Sequence, residues 1–187
     1  GTAQPVWRAR SQEKMSTRWH GVADVAALQR AACERILIAA ARAIEQRDQF
    51  LMVLAGGNTP RGVYQLLRSA GTDWSRWRIY FGDERCLPVG DAERNDSSAA
   101  GVWLSHVPIP KSRIHAIPAE LGASAAALAY VKTLHGLGDF DLVLLGLGED
   151  GHTASLFPNH DWGVATHAPD VLAVFDAPKP PPQRVSL

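Results

Sequence analysis

"FLMVLAGGNTPRGVYQLL", residues 50–67, carries the reading on which the fold turns. Phe50 to Ala55 is an unbroken apolar run, as expected of a short strand buried on both faces. Gly56-Gly57 ends it, and Thr59-Pro60 then opens a helix with Val63, Leu66 and Leu67 on one side. Thr is a good N-cap, and Pro suits the first helical position because its missing N–H would go unpaired there anyway. A buried strand, a glycine turn and a helix in that order form the unit from which parallel sheets are built.

The same alternation continues in both directions. From Asp24 to Arg47 apolar residues recur at helical spacing, through Val25, Leu28, Ala32, Ile36, Ala40 and Ala43. Arg78 to Phe81 reads as a second strand ending in Gly82-Asp83-Glu84-Arg85. Helices are expected over Ser97–Val107 and Leu121–Leu134, with a short strand at Arg113–Ala116 between them. Leu142–Leu145 is the third clear strand and Val171–Phe175 the fourth. The expected fold class is therefore α/β, with a mostly parallel sheet covered by helices on both faces. Ligands of such sheets collect beyond the carboxyl ends of the strands. The polar loops after strands 50–55, 78–81 and 142–145 all fall there, and they converge if those strands are neighbours.

Residues 1–18 read as an N-terminal extension or flexible segment, and 19–187 as a single domain. The chain starts without Met and stops in a β-leaning run, so both ends are expected to be cut from something longer. Lys+Arg and Asp+Glu both number 19, a balance that argues against nucleic-acid and membrane-surface partners while leaving room for a local basic pocket. Cys33 and Cys86 are too few for a disulfide framework and point to a reducing, cytoplasmic setting. No apolar stretch approaches the roughly 20 residues that span a bilayer, and no signal-peptide pattern precedes Thr17. The run Pro178-Lys179-Pro180-Pro181-Pro182 reads as a stiff connector rather than a polyproline ligand.

Three loops carry the candidate chemistry. In "AGGNTPRG" (55–62), Gly56 and Gly57 allow close backbone approach to an anion at a helix start, with Asn58 and Thr59 adding donors. The alternative is a plain tight turn with a Thr cap. "GDERC" (82–86) offers Asp83, Glu84 and Arg85, either as functional groups or as a surface ion pair. "GLGEDGHTASLFP" (146–158) spells a dinucleotide-type glycine pattern, but Pro158 and Gly163 leave little room for the helix that pattern needs, and Glu149 and Asp150 would repel a pyrophosphate. A metal set of Asp150, His152, His160 and His167 has no ligand spacing of a known kind, and Ser155 lacks a nucleophile elbow. What remains is Asp150-Gly151-His152 as an orienting carboxylate and a titratable base.

Taken in order, "LAGGNTPRGVY", "GDERCLP…ERNDSS", "LVLLGLGEDGHTASLFP" and "KPPPQRVSL" resemble the 6-phosphogluconolactonase family, from about Trp19 to the end of the chain. The resemblance implies a Rossmann-like three-layer α/β/α fold shared with glucosamine-6-phosphate deaminases and ribose-5-phosphate isomerases. It implies hydrolysis of 6-phospho-D-glucono-1,5-lactone to 6-phosphogluconate in the pentose phosphate pathway, with no metal or organic cofactor. The partner is then a small-molecule sugar-phosphate lactone. Carried over by position, His152 is the base, Asp150 orients it, and Arg85 stabilises developing charge. Gly57, Asn58, Thr59 and Arg184 would hold the phosphate, Asn58 standing where Ser is usual, and Gly56 and Asp83 are further candidates for substrate binding. Should His152 not be the base, Asp83 and Glu84 are the next candidates. Relatives are expected to continue past residue 187 through a further strand and a phosphate-binding Lys.

The nearest rival is a glucosamine-6-phosphate deaminase, whose corresponding loop places a Glu just before its Pro. Phe157 stands there in this chain, and Arg85 replaces the Tyr usual after the deaminase Asp-Glu pair, both in favour of the lactonase. A non-catalytic sugar-phosphate-binding module would keep the phosphate loop but have no need of Asp150-Gly151-His152.

Overall fold

A computed structural model describes residues 17–160 and 168–187. Asp24 starts the first helix, α1 (Val25–Arg47), its carboxylate accepting from the Ala27 N–H at 2.7 Å. Cys33, Ile36, Ala40 and Ala43 form its buried stripe. Next come β1 (Phe50–Leu54), α2 (Asn58–Leu67), β2 (Trp77–Phe81), β3 (Asp83–Arg85) and α3 (Asn95–Val102). Then follow β4 (Ile114–His115), α4 (Ala123–Leu134), β5 (Leu142–Val143), β6 (Leu172–Val174) and β7 (Arg184–Ser186).

A four-stranded parallel sheet in the order β4-β2-β1-β5 forms the centre. All five residues of β1 are buried, as the unbroken apolar run predicts for a strand covered on both faces. The Leu54↔Phe81 and Val53↔Val143 pairings bring the three strands to a common carboxyl end, so the expected convergence of loops is realised. The Phe50, Trp74, Trp77 and Trp103 rings pack edge-on or tilted, with centroids 4.8–5.9 Å apart.

A second sheet, antiparallel in the order β3-β7-β6, extends from the end of the first. Gly82 makes the junction: its N–H donates to Leu54 O at 2.9 Å and its carbonyl accepts from Leu187 N–H at 2.8 Å. The expected fourth strand therefore joins the antiparallel sheet, a partner choice that apolar patterning does not encode. The helix expected at 97–107 instead begins at Asn95 and breaks at Trp103 into a short 3₁₀ turn over Leu104–His106. Its start is moved by Glu84 on β3, whose carboxylate accepts from the N–H groups of Asn95 (2.8 Å) and Asp96 (2.9 Å). A cap supplied from eleven residues away leaves no local signal. Among the described residues no helix is long and apolar enough to cross a membrane.

Candidate active site

The first loop is built around two glycines with different reasons. Gly57, not Thr59, is the N-cap of α2, with φ 103° in the region that favours glycine. Asn58 is the first helical residue, so Thr59 lies inside the first turn and its expected capping role passes to the glycine. Gly56 has no room for a side chain, since a Cβ there would overlap the Asn95 carboxamide. Tyr64 on α2 holds the same turn from below: its hydroxyl accepts from Ala55 N–H at 3.0 Å and donates to Ala55 O at 2.7 Å.

The second group comes from β3 and β7. Their register sets Asp83 against Ser186 and Arg85 against Arg184, on the same face of the sheet, while Glu84 faces the other way. Asp83 is pinned at both oxygens, accepting from Asn95 Nδ2 at 3.0 Å and from Ser155 Oγ at 2.7 Å. Glu84 is fully buried and committed to the N–H groups of Arg85, Asn95 and Asp96. Burial pushes its carboxyl up to about 7, against the pull of those donors. Neither acid of this pair is therefore free in the way a fallback base requires.

Arg184 is only 5% exposed. Its Nε donates to Pro181 O (3.1 Å), its Nη2 to Lys179 O (3.1 Å) and Pro180 O (3.2 Å), and its guanidinium lies 5.5 Å from the Phe157 ring centroid. Burial, and then repulsion from Arg85, lowers its proton affinity from the ordinary arginine value. Arg85 donates from Nη1 to Glu93 O, and its Nε is buried without a partner among the described residues. Two guanidiniums with no carboxylate salt bridge among the described residues, and a buried Arg85 Nε without a partner, are able to hold an anion.

The third loop presents the histidine. Gly148 N–H donates to His152 O at 2.8 Å, and Gly151 at φ +86° reverses the chain between them. A Cβ on Gly148 would overlap the His152 ring, so glycine is required for the imidazole to sit where it does. His152 Nδ1 is hydrogen-bonded to Asp150 Oδ1, and Lys179 Nζ lies 3.3 Å from Asp150 Oδ2. The bond to His152, with help from Lys179, holds the Asp150 carboxyl at about 2, so it is ionised at neutral pH. An anion facing Nδ1 places the neutral imidazole's proton on that nitrogen and leaves Nε2 as the acceptor. The ring stacks on Phe157, with centroids 4.8 Å apart.

These groups enclose a cavity of about 220 Å³. Of the residues expected from sequence, it brings together Gly56, Gly57, Asp83, Arg85, His152 and Arg184. Asn58 and Thr59 are exposed in the first turn of α2 and outside its lining, and Asp150 stands behind the imidazole. Asn95, Ser155, Ser186 and Lys179 carry contacts that sequence reasoning assigned to none of them. Asn95 lay within a quoted motif, but its placement beside Gly56 depends on the distant cap by Glu84. Of the loop histidines, His160 faces the carbonyls of Pro158 and Asp176 with its two ring nitrogens, both at 3.0 Å. His167 lies outside the described residues.

Residues 23–187 match the family of glucosamine-6-phosphate isomerases and 6-phosphogluconolactonases. The chain is 38% identical over 171 residues to the 6-phosphogluconolactonase of Mycobacterium leprae, covering 84% of this chain and 69% of that one. It is also 38% identical over 175 residues to the 6-phosphogluconolactonase of Streptomyces coelicolor, covering 84% and 67%. In three dimensions it is similar to the crystal structure of 6-phosphogluconolactonase from Thermotoga maritima, with a TM-score of 0.78 at 29% identity over 85% of this chain and 72% of that one. With strand order, loop convergence and these likenesses in agreement, the chain belongs to the glucosamine-6-phosphate isomerase/6-phosphogluconolactonase family.

Proposed function

We propose that this chain hydrolyses 6-phospho-D-glucono-1,5-lactone to 6-phosphogluconate. The observation that carries the reading is the facing of an oriented imidazole and two arginines across one cavity. The phosphate is held between Arg184 and the glycine turn at the start of α2, where backbone N–H groups lack intrahelical partners. His152 Nε2 takes a proton from a water as the water oxygen bonds to the lactone carbon. The C=O electrons move onto oxygen, and the oxyanion is met by Arg85, whose buried Nε has no other partner among the described residues. Collapse of the tetrahedral intermediate breaks the bond to the ring oxygen, which recovers the proton from the imidazolium. The product is an open-chain acid. Asp150 stays ionised throughout and stabilises the imidazolium.

Phe157 supports lactone hydrolysis over amine release. At the position of the deaminase Glu, this chain places an apolar ring packed on the base and on Arg184. The unpaired thiols Cys33 and Cys86 suit a reducing, cytoplasmic setting. The deciding experiment is a pH-stat assay with freshly prepared phosphorylated lactone, corrected for spontaneous hydrolysis, run beside an ammonia assay on glucosamine 6-phosphate. Acid release above background with no ammonia is expected; ammonia without lactone hydrolysis would reverse the assignment.

A further inference from the structure

The proline run at 178–182 is more than a connector. The carbonyls of Lys179, Pro180 and Pro181 accept from Arg184, which anchors this segment to the anion site. The Lys179 side chain turns the other way, and its Nζ sits 3.3 Å from Asp150 Oδ2. Asp150 Oδ1 meets His152 Nδ1. One short segment thus touches the phosphate-binding arginine through its backbone and the base through an intervening carboxylate.

We propose that Lys179 is a positioning residue for His152: by engaging one oxygen of Asp150 it turns the other toward Nδ1 and fixes the tautomer with Nε2 free. Asp150 touches the imidazole and Lys179 touches Asp150, while Asp83 and Arg85 from β3 and Arg184 from β7 line the same cavity as His152. Three cations face two carboxylates. Removing Lys179 leaves two against two, and the imidazolium becomes easier to form. Lys179 and Asp150 are both partly exposed, so solvent and salt weaken the effect without abolishing it. The kinetic half of this inference rests on the lactonase reading, whereas the tautomer half does not.

The test compares wild type with Lys179→Met and Lys179→Arg, in all of which the residue 179 carbonyl still faces Arg184. In ¹⁵N NMR spectra of the imidazole without substrate, wild type should show mainly the Nδ1–H form. Lys179→Met should raise the Nε2–H form several-fold, and Lys179→Arg should restore the wild-type ratio. The acidic limb of kcat/KM should move to higher pH in Lys179→Met, where a nearby cation is lost, and return in Lys179→Arg. Loss of the segment's structure alone would raise KM or lower Tm and leave the limb in place. Unchanged tautomer ratio and unchanged limb in an active Lys179→Met would overturn the role of Lys179 while leaving the lactonase reading intact. A shifted tautomer ratio in a protein that hydrolyses no lactone would keep Lys179 and overturn the proposed function instead.

Discussion

Arg85 on β3 and Arg184 on β7 stand directly opposite each other across an antiparallel strand pair. Like charges in that relation repel, and neither has a carboxylate salt bridge among the described residues to quench it. Carbonyl oxygens hold both guanidiniums in place, from Glu93 for Arg85 and from residues 179–181 for Arg184. The pair suits an anionic ligand, and under the proposed function Arg184 takes the phosphate of the substrate while Arg85 meets the oxyanion.

If Arg184 holds that phosphate, Arg184→Ala should raise KM for the phosphorylated lactone at least tenfold while changing KM for unphosphorylated gluconolactone little. One good charge-assisted contact is worth about 1.5–3 kcal/mol, which sets that scale. Steady-state kinetics on both substrates decides it. An equal rise on the two would take Arg184 out of the phosphate site.

His152→Ala should lower kcat by roughly 10²–10⁴-fold, the usual worth of a positioned base, with little change in KM. Asp150→Asn should retain more activity, since it disturbs the tautomer without removing the base. Rates need correction for uncatalysed hydrolysis at each pH. A folded His152→Ala protein with wild-type kcat would make His152 a loop residue of purely structural use. Of the two fallback acids only Asp83 lines the cavity, and it would have to give up its bond from Asn95 or Ser155 to serve, whereas Glu84 points away and caps α3.

Gly148→Ala is expected to act on chemistry rather than on the core. The new Cβ would collide with the His152 ring and approach Asp150 Oδ1 at 2.8 Å, so both must shift. We expect kcat to fall by about 10²-fold, the cost of a misplaced catalytic group of roughly an ångström, with Tm within a few degrees of wild type. By contrast, Gly101→Ala on α3 meets nothing within 4 Å and should leave kcat unchanged and raise stability slightly. Wild-type turnover in Gly148→Ala would show that the imidazole needs no such close seat.

Glu84 sets a pH dependence of stability. Its folded value of about 7 lies above the ordinary 4.5, mainly through burial. Between those values the folded state holds one more proton than the unfolded state, so stability falls as pH rises from about 4.5 to 7 and levels off above. Glu84→Gln should flatten that part of the Tm–pH curve, although it leaves one of the cap N–H groups facing a donor and lowers Tm overall. Parallel curves for the two proteins from pH 5 to pH 8 would mean the carboxyl stays ionised throughout.

The strands at 50–54 and 77–81, the glycine turn after the first, and the Asp150–His152 pair were legible in sequence because their signals are local. Apolar runs, turn residues and a carboxylate two positions from a histidine interact within a few residues of one another. The seat of the imidazole against Gly148 belongs to the same local loop. Tertiary structure alone decided the rest. Glu84 starts α3 two residues earlier than its own composition implies, Leu172–Val174 pairs antiparallel instead of joining the parallel sheet, and Arg85 meets Arg184 across ninety-nine residues of chain. Lys179, inside a proline run that signals only stiffness, reaches Asp150 from a different part of the chain. Each of these depends on backbone hydrogen bonds and charges contributed by segments remote in sequence, and the free energy that selects them exists only once the segments have met.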